Sequence, residues 1–242
     1  MGQRLMCVVA HPDDECFGFG GALALAADRG VETFVVCLTD GQAATHRGSA
    51  NSGAELGEMR RREFAASCQV LGVSRHELLN YHDGQLVNVP VIEATELLVR
   101  RMREFQPNVV ITFGGDGGMN VHPDHMMASF WTTTAFHWSG RGARFPESGA
   151  EFQPDRLFHL TTQVFIPDRQ PPMPSPWTAV LDIESVRERK SEAFRRHVSQ
   201  AALMELTKPF FAQYGGEEFY TLVAMKEPGP AAQLSDLFEG LS

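Results

Sequence analysis

The chain of 242 residues contains no apolar run approaching the roughly 20 residues that a membrane-spanning helix needs. Positive charge is in deficit: 21 Lys and Arg stand against 30 Asp and Glu, a formal net charge of −9. A surface of that sign repels phosphate backbones and anionic lipid, so neither nucleic acid nor a membrane is expected as a partner. The arginines are scattered or grouped in helical stretches (Arg60, Arg61, Arg62; Arg195, Arg196) and build no basic stripe. Cysteine is sparse too. Cys7, Cys16, Cys37 and Cys68 show no C-x-x-C spacing, and Cys7 and Cys37 lie in apolar runs where a thiol behaves as a small hydrophobe. A disulfide framework is not expected at this length. Near the N-terminus only Leu5 to Ala10 is apolar, too short for the core of a signal peptide, and Met6 breaks the myristoylation pattern. Repeats and low-complexity blocks are missing as well. The expectation is a soluble protein of the reducing cytoplasm.

What the chain does contain is ordinary globular material, 43% apolar and 21% charged, in a length that supports one large buried core. Leu5 to Ala10 is uninterruptedly apolar, the pattern of a strand covered on both faces. A helix over Ala22 to Arg29, stopped by Gly30, leads to a second buried strand at Thr33 to Leu38, and right-handed crossover makes the two strands parallel. The alternation continues with a helix over Glu55 to Leu71 ending at Gly72, a strand at Leu78 to Tyr81, a helix over Val91 to Phe105 and a strand at Val109 to Phe113. A further helix opens at His122 and runs to about Trp138. Residues 42–53 are small and polar and read as a loop; residues 139–157 and 167–176 read as aperiodic surface excursions. Strands are predicted at Leu157 to Phe165, Thr178 to Ile183 and Phe219 to Met225, with one long helix over Glu184 to Met204. The fold class predicted is α/β: a single domain over residues 1–242, its core at about 4–205. A doubly wound, mostly parallel, Rossmann-like sheet carries helices on both faces, with an irregular C-terminal part.

Functional residues of open α/β sheets gather beyond the carboxyl ends of the strands. Two motifs occupy that place. His11-Pro12-Asp13-Asp14-Glu15 follows the first strand, and His122-Pro123-Asp124-His125 follows the Val109 to Phe113 strand. Catalytic zinc takes three ligands from His and carboxylate and leaves a position for water. His11 with Asp14, and His122 with His125, are spaced three apart, which sets each pair on one face of a helical turn. His11, Asp14 and His125 make such a set, although spacing does not choose between the two histidines of the second motif. Asp13 is then placed to take a proton from water, and His122, its charge maintained by Asp124, to stabilise or protonate what forms. Each motif alone has a plainer reading as a helix cap or a charged first turn. Two of them after two parallel strands count against that, and a cation would cancel the repulsion of carboxylates packed so closely. His46, His76, His82, His137, His159 and His197 lack this context and are for the most part read as surface or satisfied, partly buried residues.

These motifs, with Asp40-Gly41 after the second strand, resemble the LmbE-like (PIG-L-type) family of zinc-dependent N-acetylglucosaminyl deacetylases. Arg60-x-x-Glu63 followed by Leu71-Gly72, and Arg189-Lys190 through Ala193 to His197-x-Ser199-Gln200, extend the similarity over roughly residues 5–200. The resemblance implies that His11, Asp14 and His125 bind zinc and that Asp13 is the general base. It implies His122, paired with Asp124, as electrostatic catalyst or general acid, and places Arg60 near the substrate end of the site. Several relatives carry a tyrosine two residues before the first histidine of His-Pro-Asp-His. Here Asn120 stands at that position, either doing a related polar job or leaving the function to another group. The Gly114-Gly-Asp-Gly-Gly118 run is expected to be pliable, and substrate choice is expected to lie in residues 42–53 and 139–176.

The function expected is that of a metal-dependent amidohydrolase removing an acetyl group from an N-acetylated amino sugar or its conjugate. Zn2+ is the expected ion, with Fe2+ or Co2+ able to use the same ligands. A zinc amidase acting on a non-sugar or thiol-sugar conjugate is the nearest alternative, followed by a metal-stabilised carbohydrate-binding protein without catalysis. A nucleotide-binding module ranks last, because Leu23 breaks the G-x-G-x-x-G pattern begun at Gly18. The partner expected is a small molecule, and a homo-oligomer is compatible with the Trp, Phe and Met content.

Overall fold

The computed structural model describes residues 2–118, 120–163, 171, 173–230 and 232–241. In chain order the elements are β1 (Arg4–Val9), α1 (Asp14–Phe17), α2 (Gly20–Asp28), β2 (Glu32–Thr39), α3 (Gly53–Leu71), β3 (Arg75–Tyr81) and α4 (Val91–Phe105). They continue with β4 (Val109–Phe113), α5 (Pro123–Ser139), β5 (Arg156–Thr161), β6 (Ala179–Asp182), α6 (Arg187–Arg195), α7 (Ala201–Tyr214) and β7 (Glu217–Met225).

Seven strands form one sheet in the order β3-β2-β1-β4-β5-β7-β6. The ladders from β3 through to β5 are parallel, and β7 alone runs against its neighbours β5 and β6. The apolar runs at the centre are explained by burial on both faces: every residue of β4, and all of β1 after Arg4, is buried. Right-handed crossovers that move outward from β1 and then back across to β4 must place their helices on opposite faces. Accordingly α2 and α3 pack together with α6, while α4 packs against α5. Among the described residues no helix is long and apolar enough to cross a membrane.

Two departures from the sequence pattern have physical causes. β3 begins at Arg75, three residues before its apolar segment, because as the sheet's edge it can leave Arg75 and His76 exposed and Glu77 half-buried. The single helix expected over Glu184 to Met204 is broken. α6 ends at Arg195, a short 3-10 turn at Val198–Gln200 follows, and α7 starts at Ala201. Between them His197 turns inward to a buried carboxylate, a contact that helical periodicity does not reveal. Positions 164–165 of the expected β5, and 167–170 and 172 of the proline-rich excursion, lie outside the described residues.

Candidate active site

β1 and β4 are neighbours at the point where the strand order reverses, and in such sheets a crevice opens beyond that pair. A cavity of about 310 Å3 lies there, lined by both sequence motifs. The first motif enters it through a strained turn. Asp13 has φ 107° and ψ −27°, a left-handed conformation that costs a non-glycine residue on the order of 1–3 kcal/mol. Backbone bonds fix it: Asp13 N–H donates to Glu15 Oε2 at 2.8 Å, and Asp13 O accepts from Phe17 N–H at 2.9 Å. The second motif is set by its helix start, with Pro123 in the first turn of α5 and His122 as N-cap. His122 Nδ1 accepts from the Asp124 amide at 3.2 Å.

The two turns bring the donors of His11, Asp14 and His125 to one point, with a nitrogen of His122 within 4.8 Å of both imidazoles. His125 Nε2 lies 3.3 Å from His11 Nδ1 and 3.3 Å from Asp14 Oδ1, and His11 Nδ1 lies 3.4 Å from Asp14 Oδ2. The remaining nitrogens of both rings are engaged elsewhere. His125 Nδ1 is 3.0 Å from the Gly117 carbonyl oxygen, which only accepts, so Nδ1 carries the hydrogen and Nε2 a lone pair. His11 Nε2 is 3.0 Å from Asp83 Oδ1 and 3.3 Å from Asp124 Oδ2, so His11 likewise turns a bare Nδ1 inward. In the neutral tautomers two lone pairs and a carboxylate face one another, an arrangement that calls for a cation between them, a metal ion or a proton on His11. Four ligands about 2.1 Å from a tetrahedral ion stand roughly 3.4 Å apart, and the separations here match that spacing. The donor set of two imidazoles and one carboxylate suits a divalent transition metal. The His11, Asp83 and Asp124 donors also cluster within 4.8 Å, but they meet on the protonated side of His11 and hold the ring rather than an ion.

Asp124 thus has a different job from the one expected. Rather than pairing with the His122 imidazole, its carboxylate faces His11 and accepts the amides of Gly84 at 2.7 Å and Leu86 at 3.2 Å. Its contact with His122 runs through its backbone. Asp83 is a site residue that the motifs did not announce, since His82-Asp83-Gly84 reads simply as a turn. The signal was its place beyond the carboxyl end of β3, at the same sheet edge.

Arg60 lines the cavity with the two motifs. It is buried on α3, with Nη2 3.0 Å from Asp13 Oδ2 and also on the Pro12 carbonyl, and Nη1 3.0 Å from Gly41 O. Its guanidinium is engaged with Asp13 at the cavity wall. Gly41, at φ +67°, is required for this, because a Cβ there would overlap the guanidinium. Asn120 lines the cavity and caps the second motif, its Oδ1 accepting from His122 N–H at 3.0 Å. Gly117, at φ +84°, presents the carbonyl that orients His125, so the glycine run is part of the site's frame. His46 lines the cavity as well, and Gln200 Nε2–H holds its carbonyl at 3.0 Å, which ties residues 42–53 to the site.

The electrostatics follow from burial against charge. Burial pushes the Asp13 carboxyl up to about 6, against the pull of the Arg60 guanidinium. Burial disfavours a charged His11, but with no ion between the ligands Asp124, Asp14 and Asp83 reverse this and hold it well above the usual range, so that a bound ion would displace a proton from Nδ1. Burial, then the neighbouring His11 and His125, push His122 down to about 4. His122 is therefore a neutral ring, and because its Nδ1 is an acceptor its hydrogen sits on Nε2.

The sequence pattern of the family described as PIG-L: GlcNAc-PI de-N-acetylase matches residues 6–136. A 1D-myo-inositol 2-acetamido-2-deoxy-alpha-D-glucopyranoside deacetylase from Rhodococcus jostii is 27% identical over a 293-residue alignment that covers 99% of this chain and 98% of that protein. A mycothiol S-conjugate amidase from Streptomyces coelicolor is 32% identical over 177 residues, 64% of this chain and 60% of its own. Among solved structures, an N,N'-diacetylchitobiose deacetylase from Pyrococcus horikoshii superposes with a TM-score of 0.76 at 25% identity, over 91% of this chain and 84% of that one.

Proposed function

The chain belongs to the PIG-L (GlcNAc-PI de-N-acetylase) family, and from that premise we propose that it releases acetate from an N-acetylated amino sugar or its conjugate. The observation that carries the reading is the meeting of His11 Nδ1, the Asp14 carboxylate and His125 Nε2 beside Asp13. Those three groups would hold a divalent ion, Zn2+ by preference, with Fe2+ or Co2+ compatible. When bound, such an ion supplies Lewis acidity, acidifying water and polarising a carbonyl oxygen.

The protein's own residues do the rest. One oxygen of Asp13 is anchored by Arg60, which leaves the other to receive the proton of the attacking water. Asp13 then returns that proton to the departing amine. The neutral His122 donates from Nε2–H to the oxygen that gains charge as the carbonyl becomes tetrahedral. Asp83 and Asp124 keep His11 in the tautomer that turns Nδ1 inward. Asn120, in the cavity lining, is a polar contact for substrate. Four free, buried cysteines agree with a cytoplasmic setting.

The compound in the name of the Rhodococcus jostii relative, an acetamido sugar joined to inositol, is the first to try. The likeness to the Streptomyces coelicolor amidase supports a second arm, a thiol-conjugate amide. The test is acetate release from N-acetylglucosamine conjugates before and after chelation. Release should stop on chelation and return with Zn2+; undiminished release by the stripped protein overturns the reading.

A further inference from the structure

Glu15 closes the first motif, yet its carboxylate lies in the interior, fully buried. A buried carboxylate is tolerated only where every lone pair finds a donor. Three donors from three parts of the chain meet it. The Asp13 amide reaches Oε2 at 2.8 Å, while Ser67 Oγ–H on α3 and His197 Nε2 both reach Oε1, at 2.5 Å and 2.7 Å. His197 is itself 1% exposed, sits at the break between α6 and α7, and its Nδ1 has no hydrogen-bond partner among the described residues. The ring enters the core where the helix is interrupted and makes this bond there. The break is fastened on its other side, because Glu63 of α3 accepts from both the amide and the hydroxyl of Ser199, at 2.8 Å and 2.7 Å.

The receiving end of this strut is the one position of the first motif whose backbone is strained. Asp13 keeps its left-handed φ of 107° only while neighbouring bonds over-determine it, and the Glu15 Oε2 bond to its amide is one of them. That bond fixes the peptide plane from which the Asp13 side chain leaves toward the cavity. We propose that His197 and Glu15 form a positioning device for Asp13: His197 aims the Glu15 carboxylate, and Glu15 holds the Asp13 amide so that its carboxyl meets Arg60 on one oxygen and the cavity with the other. His197 touches neither substrate nor ion, so it is a positioning residue. The claim rests on the deacetylase reading for its kinetic consequence, but its structural consequence can be read without any turnover.

The experiment compares His197→Met, which keeps volume and removes the donor, with His197→Gln, which returns an N–H near the Nε2 position. Lys190→Met serves as a control, because it breaks the buried Lys190–Glu218 pair at 2.6 Å outside the catalytic machinery. In His197→Met, kcat should fall roughly 10–100-fold, the cost of a misplacement of about 1 Å. KM and bound-metal stoichiometry should stay put, and a crystal structure should show Asp13 leaving the left-handed region. His197→Gln should recover most of kcat. Lys190→Met should lower Tm with kcat retained. The proposal is overturned if His197→Met keeps wild-type kcat, if Lys190→Met loses kcat equally at equal loss of Tm, or if Asp13 is unmoved in the His197→Met crystal. Where wild type releases no acetate from any N-acetylated sugar tried, the deacetylase reading fails by itself and the crystallographic comparison decides the positioning claim. If His197→Met does not fold, Ser67→Ala removes the other donor to Oε1 and is read in the same ways.

Discussion

His11 Nδ1 and His125 Nε2 stand 3.3 Å apart, each ring having given its other nitrogen to an acceptor. Two residues 114 positions apart thus turn a ring nitrogen each toward one point, and the Asp14 carboxylate completes the triangle.

The groups behind His11 should matter nearly as much as the triangle. Asp83→Asn and Asp124→Asn each weaken the acceptors that fix the His11 tautomer. Metal affinity, measured by competition with a chromogenic chelator, should fall roughly 10–100-fold in each. Affinity unchanged in both variants would show that these carboxylates do not tune the ligand.

Asp13→Asn keeps shape and Arg60 contact but removes the base. Turnover should drop about 10²–10⁴-fold with metal content intact, as determined by acetate assay and elemental analysis on the same sample. Near-normal rates would refute the assignment of Asp13.

Gly41→Ala puts a methyl where the Arg60 guanidinium lies, on a backbone at φ +67°. Arg60 must then withdraw from Gly41 O and loosen its hold on Asp13. A lower kcat is expected together with a lower Tm, since left-handed alanine alone costs about 1 kcal/mol. A crystal structure with Arg60 in place and kcat unaltered would contradict this.

His159 makes acid stability testable away from the site. It is partly exposed on β5, hydrogen-bonded to Thr133 Oγ1 at 2.9 Å, and burial pushes it down to about 4. The unfolded imidazole titrates near 6.5, so between those pH values the unfolded chain binds the extra proton. The contribution is therefore whole above about pH 6.5 and is lost as pH falls toward 4, amounting to roughly 2–3 kcal/mol. Denaturant melts of wild type and His159→Gln should diverge over that interval, the variant losing less. Parallel curves would remove His159 as a cause.

Much of the fold and of the site is legible in the sequence. Central strands announce themselves because burial on both faces demands unbroken apolar runs, and β1 and β4 are of that kind. The two histidine turns follow from the rule that such strands deliver chemistry at their carboxyl ends. What escaped notice depends on three-dimensional partners. The interior place of Arg60, the turn of Asp124 toward His11 and the inward swing of His197 are set by which side chain lies opposite, not by spacing along the chain. Asp83 was hidden differently: a lone acid in a tight turn resembles every other turn acid until β3 places it beside His11.

The most direct test is anomalous diffraction on crystals grown with Zn2+, recorded above and below the zinc edge, for wild type and His125→Ala. The account predicts one strong peak bounded by His11 Nδ1, the Asp14 carboxylate and His125 Nε2 in wild type, and none there in the variant. A peak elsewhere, for example at Glu15, Cys16 and His197, or a wild-type map without any peak, would contradict it.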